Sequence, residues 1–254
     1  MARTVFLRGK EEIEAIRAAA MLVARTLGRL GSEVRPGVTT ATLDQLAEAF
    51  IRDHGGRPAF KGYRGFPASI CASINDEVVH GIPGPRRLAE GDIVGIDVGV
   101  EMDGFYGDSA ITFPVGRVSD EATRLLQVTR EALARGVAQA KAGNRVGDIS
   151  HAVQSYVEGQ GFAVVRSLVG HGIGRQMHEE PQVPNYGTPE RGPRLMAGQV
   201  VAIEPMVNAG VPEVMTQPDG WTVVTKDGRL SAHFEHTVAV GQEGPDILSR
   251  VDAP

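Results

Sequence analysis

One order of elements occurs twice along this chain of 254 residues, and it restricts the fold more than any single residue does. Ile13, Ile16, Ala20, Val23, Leu27 and Leu30 recur at spacings of three and four, the mark of an amphipathic helix, which Val34-Arg35-Pro36-Gly37 breaks. A second helix carries Leu43, Leu46, Ala47, Phe50 and Ile51 and ends at His54-Gly55-Gly56. The order then returns. A helix carries Ala122, Leu126, Thr129, Leu133 and Val137, and Ala142-Gly143-Asn144 breaks it. Another follows with Ile149, Val153, Tyr156 and Val157, stopping at Gly159-Gln160-Gly161. Each pair precedes a similar strand: Gly91-Asp92-Ile93-Val94-Gly95-Ile96-Asp97 reads like Gly198-Gln199-Val200-Val201-Ala202-Ile203-Glu204. Buried strands look alike, but the helix–break–helix order ahead of both favours a duplicated α-α-β unit. A pseudo-twofold between the units would bring Asp97 and Glu204 to related places around one centre. The expectation is an α+β chain, a single domain over residues 1–254 built of two halves, about 10–116 and 119–240. They join near Arg117-Val118-Ser119, and the stretches Gly81–Pro85 and Thr188–Pro193 are read as ordered loops.

Composition narrows the partners. At 42% hydrophobic residues the chain can fill a large core, and a net charge of -5 gives no reason to expect nucleic acid. The single cysteine, Cys71, excludes an internal disulfide framework and fits a reducing compartment. Met1-Ala2-Arg3-Thr4-Val5 leads into charged, helix-like sequence without the apolar core of a signal peptide. No segment approaches the roughly 20 apolar residues that span a bilayer. A cytoplasmic protein is expected.

Five residues carry the chemistry: Asp97, Asp108, His171, Glu204 and Glu235, each in a stretch that reads as a strand or strand end. Four carboxylates and one imidazole suit divalent ions, and carboxylates can bridge two of them, which a single zinc site rarely needs. That donor set signals a two-metal hydrolase. Met102-Asp103-Gly104 lies between two apolar runs, and Asp-Gly in that setting predicts a two-residue hairpin turn. With Asp103 and Gly104 as the turn, Asp97 lies opposite Ala110 and Asp108 opposite Gly99. The aspartates are then diagonal neighbours on one face, about 7–8 Å apart at the backbone. Gly99 and Gly107 are read as leaving the space beside them empty of side chains. Two like charges facing inward demand a cation, although two acids on a solvent-facing sheet would show the same spacing. Glu235 is read as a residue within a strand, because His233, Glu235, Thr237 and Ala239 alternate with Phe234, His236, Val238 and Val240. Glu204 precedes Pro205 and is placed at a strand end or bulge.

Gly170-His171-Gly172-Ile173-Gly174-Arg175-Gln176-Met177-His178-Glu179-Glu180-Pro181 is the most specific stretch: glycines let the backbone approach a ligand, and His178 can return to the cavity of His171. His54 and His151 are read as ordinary surface or core histidines. From Gly170 to Tyr186, together with the five residues above, the chain resembles the type I methionine aminopeptidases in their short bacterial form, over about Ile13 to Val240. The resemblance implies a "pita-bread" fold, two pseudo-symmetric halves whose curved antiparallel sheet holds two divalent ions. On that pattern Asp97 chelates one ion, Asp108 and Glu235 bridge both, and His171 and Glu204 complete the other's shell. A hydroxide bridging the ions becomes the nucleophile, Glu204 moves its proton, and His178 acts on the substrate amide. His80 lies near the leaving nitrogen. Tyr63, Phe66, Cys71, His80 and Trp221 match the methionine pocket, and two positions that line it depart from the pattern. Met177 stands where an aromatic is common and Phe60 near a common cysteine. Cys71 is read as pocket wall, not nucleophile. A monovalent cation is implied near Asn75 and Ser231. The implied substrates are nascent polypeptides whose second residue is small, met by a monomer in transient association with the ribosome. The metal itself stays open among Mn, Fe, Co, Ni and Zn.

Two other readings use the same fold. Proline-directed peptidases share the five ligands but carry a large N-terminal domain, for which a first helix starting near Gly9 leaves no room. Non-catalytic binding relatives lose ligands, and here all five are present.

Overall fold

The computed structural model describes residues 4–250. Of the N-terminal run read for a signal peptide, residues 1–3 lie outside the described residues, as do residues 251–254 at the end of the expected domain.

The helices fall where periodicity and breakers put them. α1 spans Lys10–Gly31 and buries Ile16, Ala20, Val23, Leu27 and Leu30; α2 spans Thr40–Asp53. Thr39 caps α2, its hydroxyl accepting from the Thr42 amide at 3.1 Å. α3 spans Asp120–Ala138 behind a Ser119 cap, and α4 spans Val146–Gly159, with Asp148 reaching back to the Arg145 amide at 2.7 Å. α1 and α2 share an apolar core with the strands of the first half, and α3 and α4 share another with those of the second.

Ile93–Met102 and Phe105–Pro114 form the central hairpin. Asp103 and Gly104 both take positive φ, 52° and 79°, as a primed two-residue turn requires. The register is the expected one, Asp97 opposite Ala110 and Asp108 opposite Gly99. On its other edge Ile93–Met102 pairs with Cys71–Ile74, which sets Cys71 opposite Asp97. The glycine expectation holds at Gly107, where the neighbour is backbone, and needs correction at Gly99, where it is a side chain. A Cβ on Gly107 would lie 2.4 Å from the Ala20 backbone nitrogen, so the glycine lets α1 settle onto the sheet. A Cβ on Gly99 would lie 2.6 Å from the Phe60 ring.

The second half holds an antiparallel sheet in which Val200–Ile203 sits between His236–Val240 and Val169–Gly172, with Glu179–Pro184 beyond. Met206–Asn208 pairs with Ser231–His233 in a smaller sheet. Glu204 and Pro205 interrupt one chain of this ladder, and Phe234 and Glu235 interrupt the other. Glu235 is therefore not within a strand, as the alternation suggested, but at the opening between two. Pro205 has no N–H to give, which accounts for the gap. The register passes through unchanged, since Ile203 faces His236 and Met206 faces His233. Glu204 and Glu235 thus stand opposite one another across the break.

Hydroxyls stitch the hairpin to this second half. The Ser109 hydroxyl donates to the Glu235 carbonyl, and the Thr112 hydroxyl donates to the His233 carbonyl at 2.8 Å. The Thr237 hydroxyl donates to the Asp108 carbonyl at 2.7 Å and accepts from its amide at 3.0 Å. The seam between the halves is where Asp108, His233 and Glu235 meet. Among the described residues no helix is long and apolar enough to cross a membrane.

Candidate metal centre

At that seam lies a cavity of about 290 Å³, lined by all five acid and imidazole residues singled out above and by Phe60, Tyr63, Phe66, Cys71, His80, Met177, His178 and Trp221. Donor atoms of Asp108, His171 and Glu235 lie within 4.8 Å of one another. His171 Nε2 is 4.0 Å from Asp108 Oδ2 and 3.6 Å from Glu204 Oε1. Asp97 lines the same cavity as the diagonal neighbour of Asp108 on the hairpin. The hairpin supplies the two aspartates, the opened ladder supplies the two glutamates, and Val169–Gly172 supplies His171.

The electrostatics are those of a site made for a cation. Burial pushes the Asp97 carboxyl up to about 7. It also drives Asp108, Glu204 and Glu235 well above the carboxylate range, and neighbouring carboxylates drive them further. Glu204 and Glu235 form a like-charged cross-strand pair, an arrangement that is destabilising without compensation. Asp97 Oδ1, Asp108 Oδ1, Glu235 Oε1 and His233 Nε2 are sealed from solvent without a hydrogen-bond partner among the described residues. Such orphans are rare in folded proteins, and the three carboxylate oxygens around one cavity point to a missing electrophile. His171 is suited to bind it. Its Nδ1 donates to the Gly172 carbonyl at 2.9 Å, which leaves the Nε2 lone pair facing the carboxylates. Burial first holds that ring's pKa down to about 4, so it is neutral at pH 7. The donor set fits divalent metal ions.

Around this floor stands an apolar wall. Phe60, Phe66, Cys71 and Met177 are buried together, with Tyr63 and Trp221 packed against them. Phe66 meets Trp221 edge-on at 5.1 Å and Phe60 meets Phe66 at 6.5 Å. Burial, then Asp97 and Asp108, push the Cys71 thiol up, which keeps it protonated and inert. His178 stands exposed at the mouth, its Nδ1 2.9 Å from the Tyr63 hydroxyl and its ring 4.2 Å from that of His171. Loss of water, then the neighbouring His171, Arg64 and His80, lower its pKa. His80 is partly buried, with φ of 59° and its ring 6.4 Å from Trp221. Asn75 and Ser231 also come together, the Ser231 amide donating to the Asn75 carbonyl at 2.8 Å.

His233 escaped the sequence reading. Its ring is buried in the same cavity, with Nε2 3.9 Å from Glu204 Oε2 and 4.0 Å from Glu235 Oε2. The signal that could have found it is its spacing, two residues before Glu235 in an alternating run.

A model of metallopeptidase family M24 matches residues 14–242. The chain is 53% identical to the methionine aminopeptidase of Clostridium perfringens over 247 residues, covering 97% of this chain and 99% of that one. It is also 53% identical to methionine aminopeptidase 1 of Bacillus subtilis, again over 97% of its length and all of the relative's. The crystal structure of methionine aminopeptidase from Rickettsia prowazekii superposes with a TM-score of 0.96 at 43% identity, covering 97% of this chain and 100% of that one. Prolidase from Pyrococcus furiosus, at 22% identity and a TM-score of 0.80 over 66% of its length, shares the fold alone. With a pita-bread architecture closed around a carboxylate and imidazole cluster, and half its residues shared with these relatives, the chain belongs to metallopeptidase family M24 and, within it, to the methionine aminopeptidases.

Proposed function

We propose that this hydrolase removes the N-terminal methionine from polypeptides whose second residue is small, at a centre of two divalent ions held by Asp97, Asp108, His171, Glu204 and Glu235. The observation that carries the reading is the junction of two environments in one cavity. Orphaned carboxylate oxygens form the floor, and the sulfur and aromatic groups of Met177, Phe66 and Trp221 form the wall. An unbranched thioether suits that wall, since polarisable sulfur packs well against aromatic rings.

Divalent ions bound here supply an acidified water and an electrophile for the scissile carbonyl. The residues do the remainder. Glu204 takes the proton of the attacking water and passes it to the departing amine, a role open to a carboxylate that lines the cavity floor. The Tyr63 hydroxyl lies 2.9 Å from Nδ1 of His178, and in the tautomer in which that hydroxyl donates, the ring proton sits at Nε2, able to donate to the carbonyl oxygen as charge develops there. His80, beside Trp221, faces the leaving nitrogen. The two histidines and the Tyr63 loop crowd the second side chain, which favours Ala, Gly or Ser.

The test is hydrolysis of peptides beginning Met-Ala, Met-Gly, Met-Lys and Ala-Pro at matched metal loading, with a chelated control. Met-Ala and Met-Gly are expected to be cleaved, Met-Lys slowly and Ala-Pro not at all. Faster cleavage of Ala-Pro would make this a proline-directed enzyme, and full activity after demonstrated metal removal would refute the metal centre.

A further inference from the structure

The polar atom at this centre that no role above absorbs is Nε2 of His233. The residue is 4% exposed, and Nε2 has no hydrogen-bond partner among the described residues. Its backbone is fixed, with the amide donating to the Thr112 hydroxyl at 2.9 Å and the carbonyl accepting from it at 2.8 Å. The ring is therefore held where it is by the seam between the halves. A buried imidazole nitrogen left without a partner is unfavourable, so a partner is expected when the site is in use.

Two partners are conceivable, a metal ion accepting the lone pair or an acceptor oxygen taking a proton. The surroundings choose between them. Nε2 faces Glu204 Oε2 at 3.9 Å and Glu235 Oε2 at 4.0 Å, both of them acceptors. The ring proton of His171 is held on Nδ1 by the Gly172 carbonyl, and no such acceptor is bonded to His233 Nδ1 among the described residues. Glu204 divides its oxygens between two imidazoles: Oε1 lies 3.6 Å from His171 Nε2, whose lone pair is free, and Oε2 lies on the side of His233.

We infer that His233 is a positioning residue for Glu204: its neutral ring carries the proton on Nε2 and donates it to Oε2, leaving Oε1 on the His171 side for a metal ion. This rests on the metal centre proposed above. Closing the gap from 3.9 Å to hydrogen-bond distance takes a shift of about 1 Å, within reach of a glutamate side chain settling around an ion. The bond fixes which oxygen of Glu204 binds and which is outward. It also steadies the carboxylate that must exchange a proton during turnover.

The experiment compares wild type, His233→Gln, which keeps a side-chain N–H donor, and His233→Leu, which fills similar space without one. Each protein is stripped of metal and titrated with Mn(II), free Mn(II) being followed by electron paramagnetic resonance, and the melting midpoint of each metal-free form is recorded. Losing the partner of a metal-binding carboxylate typically weakens metal affinity by about 10–100-fold. That loss is expected in His233→Leu for one of two ions, while His233→Gln stays within about threefold of wild type. At saturating Mn(II), hydrolysis of a Met-Ala peptide by His233→Leu should lose kcat with KM little changed. A wild-type isotherm in His233→Leu would overturn the inference. So would equal weakening in both variants, which would assign the effect to ring shape rather than to the proton. If His233→Leu does not fold, a tenfold weakening in His233→Gln overturns it and a wild-type isotherm there supports it. Failure of the wild type to take up any ion would instead overturn the metal centre itself, and this inference with it.

Discussion

Arg8 and Glu179 are 171 positions apart and form an ion pair whose side chains are only 6% and 4% exposed. Arg8 Nη2 donates to both carboxylate oxygens, at 2.7 and 2.6 Å. Glu179 Oε1 also accepts the backbone N–H groups of Arg175 at 2.9 Å and Gln176 at 3.0 Å. The pair fastens the turn that carries Met177 and His178 to the start of the chain, whose Arg8 amide donates to the Gly198 carbonyl at 2.7 Å. Gly174 makes room for it, because a Cβ there would lie 2.5 Å from the guanidinium. Arg8→Met removes the cation and leaves a buried carboxylate with two amide donors. Breaking a buried pair from one side costs about 3–5 kcal/mol. At about 2–4 °C per kcal/mol for a chain of this size, the melting midpoint should fall by roughly 6–20 °C. The double variant Arg8→Met, Glu179→Gln removes the stranded charge and keeps an oxygen for the Arg175 and Gln176 amides, so it should recover most of that loss. Thermal unfolding of metal-loaded protein, with kcat and KM measured well below the transition, reads both effects. A drop under about 2 °C in Arg8→Met, or no recovery in the double variant, would refute this account of the turn.

Three further outcomes are expected. His178→Ala should bind metal like wild type yet lose about 10²–10³ in kcat, because its nitrogen acts on the substrate; a metal-free variant by elemental analysis would contradict that role. Gly107→Ala should cost at least about 1–3 kcal/mol by denaturant unfolding, since the new methyl meets the α1 backbone rather than a side chain that can move; an unchanged midpoint would show that the helix shifts freely. In metal-free protein, raised folded-state carboxyl pKa values mean the folded chain binds more protons than the unfolded one, so these groups lose stability as pH rises from the unfolded carboxylate range. Below about 6.5 the buried neutral histidines oppose this, because His171 and His233 have lowered pKa values and contribute stability as pH rises. Above it the carboxylates act alone. The midpoint in chelator should fall between about pH 7 and 8, and added divalent ion should reverse the slope; a flat profile in chelator would count against charge crowding at the site.

The parts of the molecule legible in the sequence are those fixed by local chemistry. Asp103-Gly104 tolerates positive φ at both positions, so it set the turn, and the turn set the register that makes Asp97 and Asp108 diagonal neighbours. Apolar spacing placed the four helices because each buries one stripe. Side chains that meet across large sequence separations were not legible. Nothing near Gly107 announces that α1 needs its missing methyl, and nothing near Glu179 announces Arg8. The expectation of a methionine pocket came from resemblance, because Phe66, Cys71, Met177 and Trp221 have no periodic relation to one another.

Glu235 shows why alternation alone misleads at such a site. A strict period of two describes a strand whose ladder is complete, with each side chain normal to the sheet. Here the ladder keeps its register but opens at Glu204 and Pro205 on one chain and at Phe234 and Glu235 on the other. The opening serves the metal centre. Two glutamates facing one another in a closed antiparallel ladder would have backbones about 4.5–5.5 Å apart and side chains parallel, fixed in the least favourable arrangement for like charges. Releasing both from the ladder lets Glu204 turn toward His171 and His233 while Glu235 turns toward Asp108. The backbone groups freed by the opening are partly satisfied elsewhere, with the Glu235 amide on the Ala110 carbonyl and the Ser109 hydroxyl on the Glu235 carbonyl. The cation requirement and the break in the sheet thus have one cause: Glu204 and Glu235 can turn toward the residues that the regular strands present, Asp108, His171 and His233, because the ladder opens where they stand.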